Sequence, residues 1–110
     1  MPTNRVRQIA STISSWEHPY LSGAWTPNYE EYDATDLEVI GDIPSDLDGV
    51  YLRNTENQIH ESIGRYHPFD GDGMIHSMSF VDGEATYRNR FIHTDAFSAE
   101  QKAGRSLWAG

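Results

Sequence analysis

Met74-Ile75-His76-Ser77-Met78-Ser79-Phe80-Val81, then Asp82-Gly83, then Glu84-Ala85-Thr86-Tyr87-Arg88-Asn89-Arg90-Phe91-Ile92-His93: two alternating runs flank an Asp-Gly pair. Asp-Gly between such runs predicts a two-residue type I′ turn, because both central residues of that turn need positive φ. With Val81 set opposite Glu84, the register follows. Phe80 faces Ala85, Met78 faces Tyr87, His76 faces Asn89 and Met74 faces Phe91. The other face carries Ser79 with Thr86, Ser77 with Arg88 and Ile75 with Arg90. The first set is mostly apolar and is expected to pack, and the second is expected to be partly wet. A slip by one residue would exchange the two faces, so the pattern specifies its own register.

Immediately upstream stands Phe69-Asp70-Gly71-Asp72-Gly73. An EF-hand loop starting at Asp70 would need an oxygen ligand at its fifth position, glycine at its sixth and glutamate at its twelfth. Met74, Ile75 and Val81 stand there, which excludes it. A dinucleotide loop is excluded as well, since Gly71-Asp72-Gly73 runs into a strand and not into a helix. The pair of glycines reads as a place of close backbone approach or unusual φ, with Asp70 and Asp72 accepting backbone N–H bonds in a tight bend.

Working outward, residues 1–15 read as a flexible tail, and residues 16–32 as an aromatic, turn-rich arm (Trp16, Tyr20, Trp25, Tyr29, Tyr32) laid across a surface. Leu37-Glu38-Val39 suggests a short strand, residues 40–49 a turn, and Val50-Tyr51-Leu52-Arg53 another strand followed by a polar loop over 54–65. Ser98 with Gln101 resembles a capping box for a helix of one or two turns that Gly104 would end. A single clear hairpin is marginal in water and needs a second layer. With Leu107-Trp108 so near the last residue, the expectation is a domain interrupted at its C-terminal side.

Composition narrows the function classes. There is no cysteine, so disulfides, thiolate metal sites and thiol catalysis are excluded within these 110 residues. No run approaches the roughly 20 apolar residues of a membrane helix, and the N-terminus lacks a secretory core, so a cytoplasmic location is expected. The net charge is -9, and Glu30, Glu31, Asp33, Asp36, Glu38, Asp42, Asp46 and Asp48 fall in a stretch free of Lys and Arg. That balance argues against nucleic acid and reads as a solvated surface.

The five histidines are His18, His60, His67, His76 and His93. None makes the i, i+4 pair of a helical zinc motif. His18 and His67 precede prolines, which favours an extended backbone. His76, on the packed hairpin face, would be a metal ligand, a proton shuttle or a structural histidine bonded to backbone or Asn89. From the residues alone no catalytic mechanism emerges.

Several separated motifs together resemble the N-terminal region of the carotenoid cleavage oxygenase family. They are His18-Pro19-Tyr20-Leu21-Ser22-Gly23, the run from Gly41 to Asn54, Gly64 to His76, and Ala85 to Phe91. Asn54-Thr55-Glu56-Asn57-Gln58 departs from the Arg-Asn-Gly-Pro-Asn-Pro found in many members. The resemblance implies an all-β fold, the N-terminal portion of a seven-bladed β-propeller, with residues 16–110 forming the arm and first blade region. It implies a non-haem Fe(II) dioxygenase that cleaves a conjugated C=C bond of a carotenoid, apocarotenoid or stilbene to two carbonyl products. The four histidines that hold the iron are expected outside this chain, so no catalytic, cofactor-binding or metal-binding residue is assigned here. His76 is read as structural. The implied partners are a lipophilic conjugated substrate and dioxygen, with peripheral membrane contact by the longer protein. A non-catalytic β-rich binding module and an inactive truncated paralogue are the alternative readings.

Overall fold

A computed structural model describes residues 3–13, 19–64, 67 and 70–108. The strands are β1 (Thr3–Gln8), β2 (Glu30–Ala34), β3 (Gly49–Asn57), β4 (Asp72–Val81) and β5 (Glu84–Phe91), and the helix is α1 (Asp95–Ala103). They form one antiparallel sheet in the order β1-β2-β5-β4-β3, with short 3-10 turns at Pro19–Leu21 and Gly23–Trp25.

The hairpin forms in the predicted register, from Met74 opposite Phe91 through to Val81 opposite Glu84. Asp82 and Gly83 have φ of 50° and 78°, as a type I′ turn requires. The packed face is buried most completely at the end away from the turn. Met74, Asn89 and Phe91 are buried there, while His76, Met78 and Phe80 are half-buried. Met74 and Phe91 join Ile9, Ile59 and Phe97 in the core, with Tyr29 packed against it. Phe91 and Phe97 stack at 5.3 Å between ring centroids, which fastens α1 to the sheet.

Four local expectations are corrected. The tail assigned to 1–15 contains β1, which pairs with β2 from Thr3 opposite Ala34 to Gln8 opposite Glu30. Its polar sequence hid it, and the pairing sets Arg5 against Glu30 and Arg7 against Glu31. The polar loop assigned to 54–65 begins four residues late, because Asn54 to Asn57 continue β3 along β4 as far as Asp72. Leu37-Glu38-Val39 is not a strand. Helix α1 starts earlier than expected. Thr94 is its N-cap, accepting from Phe97 N at 3.0 Å, and Gly104 ends it with φ 71° and an N–H donated to Glu100 O at 2.8 Å.

The arm is pinned by Leu21, Pro27 and Tyr29, whereas Trp25 is exposed, and Trp16 and the Tyr20 side chain lie outside the described residues. Nor is the acidic stretch uniformly solvated. Asp36, Glu38, Asp42, Asp46 and Asp48 are exposed, but Glu31 is buried and Asp33 pairs with Arg90 at 2.7 Å.

Strands β2 and β5 pair through only two residue pairs, Asp33 with Arg88 and Ala34 with Tyr87. Beyond them, side chains take over the ladder. Buried Asn89 accepts from Tyr32 N through Oδ1 and donates from Nδ2 to Glu30 O at 3.3 Å. Glu31 Oε2 accepts from Phe91 N at 2.8 Å. Each bond satisfies a backbone group that the diverging strands leave without a ladder partner, a group whose burial unpaired would cost about 1–3 kcal/mol.

Candidate functional site

The bend before the hairpin is built by reciprocal bonds. Asp70 N donates to His67 O at 2.9 Å, and His67 N donates to Asp70 Oδ2 at 3.0 Å. Gly71 sits against β3. A Cβ there would lie 2.8 Å from Asn57 N and 2.9 Å from Asn57 C, so its glycine is required by close approach and not by a positive φ. Asp72 is the first residue of β4. Phe69 lies outside the described residues.

His76 is held at both ring nitrogens. Nε2 lies 2.8 Å from Thr55 Oγ1 on β3, and Nδ1 lies 2.6 Å from Tyr87 OH on β5. A neutral imidazole donates from one nitrogen and accepts at the other, so this three-strand relay uses both. Burial, and then the Arg53 guanidinium, hold the ring below the usual histidine range and keep it neutral. To ligate a metal, His76 would have to surrender one of these bonds. Its partners are Thr55 and Tyr87, not Asn89, which is spent on β2. The relay borders a shallow cavity of ≈ 330 Å³ that Tyr51, Arg53 and Met78 also line. Both partners are diagonal neighbours across the ladders, two positions from the residues directly opposite His76. That reach is ordinary for side chains on a sheet. Sequence alone hides the relay, because Thr55 falls in the polar run that reads as a loop.

The other histidines point elsewhere. His60 is buried behind helix α1, 3.4 Å from Thr12 Oγ1 and 3.5 Å from Gln101 Nε2. Burial lowers its pKa and the nearby Glu100 opposes that shift. His93 packs edge-on against Phe97 and lies 3.5 Å from Arg7. His67 belongs to the bend, and His18 lies outside the described residues. Among the described residues, no three His, Asp or Glu side chains come together as a metal site. Nor is any helix long and apolar enough to cross a membrane.

Residues 25–110 match the family model described as retinal pigment epithelial membrane protein. The chain belongs to this family, the carotenoid cleavage oxygenases. It is 47% identical over 85 residues to a carotenoid cleavage oxygenase of Mycobacterium tuberculosis, covering 76% of this chain and 17% of that protein. It is 42% identical over 93 residues to a carotenoid 9,10(9′,10′)-cleavage dioxygenase of Phaseolus vulgaris, covering 84% of this chain and 17% of that one. The sheet superposes on the crystal structure of a lignostilbene dioxygenase of Pseudomonas brassicacearum with a TM-score of 0.80 at 30% identity, over 84% of this chain and 20% of that one. A cobalt-substituted apocarotenoid oxygenase of Synechocystis matches with a TM-score of 0.66 at 36% identity, over 76% of this chain and 18% of that one. The chain therefore spans about a fifth of the length of these oxygenases. Its all-β sheet is a portion of the β-propeller that the resemblance implies. The family is one of oxygenases.

Proposed function

We propose that this chain acts within a non-haem Fe(II) dioxygenase that cleaves a conjugated C=C bond of a carotenoid, apocarotenoid or stilbene. Both oxygen atoms of O2 are consumed, one on each carbon of the cleaved bond, giving two carbonyl products. The observation that carries the reading is the family match over residues 25–110. The substrate classes follow the names of the relatives, which include carotenoid and lignostilbene dioxygenases.

Within that enzyme, residues 16–110 serve as the arm and first blade region, and their contribution is scaffolding. The iron is held by four histidines outside residues 1–110. In support, both His76 nitrogens are engaged inside the sheet, and His60, His67 and His93 stand in separate environments. Oxygen uptake by the whole protein, loaded with iron and offered a panel of stilbenes and apocarotenoids, tests the proposal. Stoichiometric oxygen consumption with two carbonyl products is expected from at least one class. An iron-loaded protein that cleaves neither would overturn it.

A further inference from the structure

A polar cavity of ≈ 200 Å³ lies where the end of β3, the start of β4, helix α1 and the segment after it meet. Gln58, His60 and Ser62 face it from the β3 side, Asp70 and Asp72 from the start of β4, and Glu100 from the helix. Three carboxyl groups and one imidazole thus share a confined space, and its described lining residues include no Lys or Arg. Two of the carboxylates are held by backbone donors. Asp70 accepts from His67 N at 3.0 Å, and Glu100 Oε2 accepts from Leu107 N at 2.7 Å. Asp72 lines the cavity together with Glu100, from the end of the β3–β4 ladder where it stands opposite Asn57. We propose that Asp72 is a proton-operated latch for helix α1. With its carboxyl protonated the helix closes on the sheet, and with it ionised, repulsion across the cavity from Glu100 loosens α1 and the segment behind it.

The direction of the effect follows from linkage. Burial, and second the charge of Glu100, push Asp72 up from 3.8 to about 6 in the closed molecule. Closure therefore binds a proton. It strengthens as pH falls from about 6 towards 3.8, and the gain is lost as pH rises through about 6, above which closure is level. His60 works the other way, since its buried ring prefers to stay neutral and acid would loosen its surroundings. Glu100 offsets part of that tendency by favouring the imidazolium. No other titratable side chain is among the described residues lining the cavity.

Hydrogen exchange of peptides covering residues 95–108, followed in the whole protein from about pH 5 to about pH 7.5 and corrected for intrinsic rates, tests the latch. One group shifted this far changes the opening equilibrium by several-fold and at most by about tenfold over that range. The expected result is more opening at the higher pH in the unaltered protein. Asp72→Asn should lose the opening that grows towards pH 7.5 and keep only the opposite, acid-side dependence that His60 contributes. Glu100→Gln, whose side-chain oxygen still accepts from Leu107 N, should keep a pH dependence with its midpoint moved down. A wild-type pH dependence in Asp72→Asn would overturn the proposal. So would opening that increases towards acid in the unaltered protein and vanishes in His60→Gln, which would assign the switch to His60. If Asp72→Asn does not fold, an unmoved midpoint in Glu100→Gln overturns it equally.

Discussion

Replacing Gly71 with alanine adds a single carbon, and the structure sets its cost. That carbon would stand 2.8 Å from Asn57 N, 2.9 Å from Asn57 C and 3.1 Å from Gln58 N. All three are backbone atoms, so no rotamer change relieves the overlap. Ordinary contact begins near 3.4 Å, so β3 and β4 must part by about half an ångström beside the Asn57–Asp72 pair. Overpacking of this kind costs about 1–3 kcal/mol. Moving Asn57 also stretches the 2.7 Å bond that its Oδ1 accepts from Asn28 N, for about 1 kcal/mol more. Gly71→Ala should therefore destabilise the protein by about 2–4 kcal/mol. Gly73→Ala is the control two residues along. Its Cβ meets the tip of Ile92 at 3.0 Å and Asn54 Oδ1 at 3.3 Å, side-chain atoms able to move, so about 1 kcal/mol or less is expected. Urea unfolding followed by tryptophan fluorescence measures both. Equal losses at the two glycines would refute the steric argument, and so would a Gly71→Ala midpoint at the wild-type value.

Asn89→Leu removes both side-chain bonds that continue the β2–β5 ladder and strands Tyr32 N–H and Glu30 C=O. A loss of about 2–4 kcal/mol and faster exchange at the Tyr32 amide are expected. Met74→Ala empties the centre of the core and should cost about 2–5 kcal/mol in the same unfolding assay. His76 has a folded-state pKa below its ordinary value of 6.5, so its contribution is intact above that pH and is lost as pH falls through the depressed value. His76→Gln should flatten that part of the stability–pH curve, as read from melting temperatures across the acid range.

The hairpin was legible because its information is local. An Asp-Gly turn and two alternating runs fix both φ signs and register without help from the rest of the chain. Strand β1 and the far half of β3 were not, because Asn4-Arg5, Gln8 and Asn54 to Asn57 carry no alternation of apolar residues. They become strands because β2 and β4 offer them partners, and for β1 the surviving trace is charge, with Arg5 and Arg7 matching Glu30 and Glu31. The Arg5–Glu30 pair, near the surface, is worth about 0–1 kcal/mol, faint as a signal in sequence, and nothing in the sequence tells that Glu31 of the second pair is buried. The cap at Thr94 was masked by Ser98 and Gln101, a capping pattern that falls inside the helix. At the candidate site the motif from Phe69 to His76 pointed to the family, yet the partners of His76 depended on the unseen half of β3. Asp72 drew notice in sequence only as a bend former. Its cavity needs α1 and the start of β4 together, and no linear pattern joins them.

The proposed function makes these residues a frame for an iron enzyme that does not touch the iron. Bound iron per protein molecule, measured by elemental analysis on the whole protein and on five variants with His18, His60, His67, His76 or His93 changed to glutamine, tests it most directly. One equivalent in the unaltered protein and in every folded variant is the predicted result. A folded variant that loses its iron would place a ligand in this chain and contradict the account.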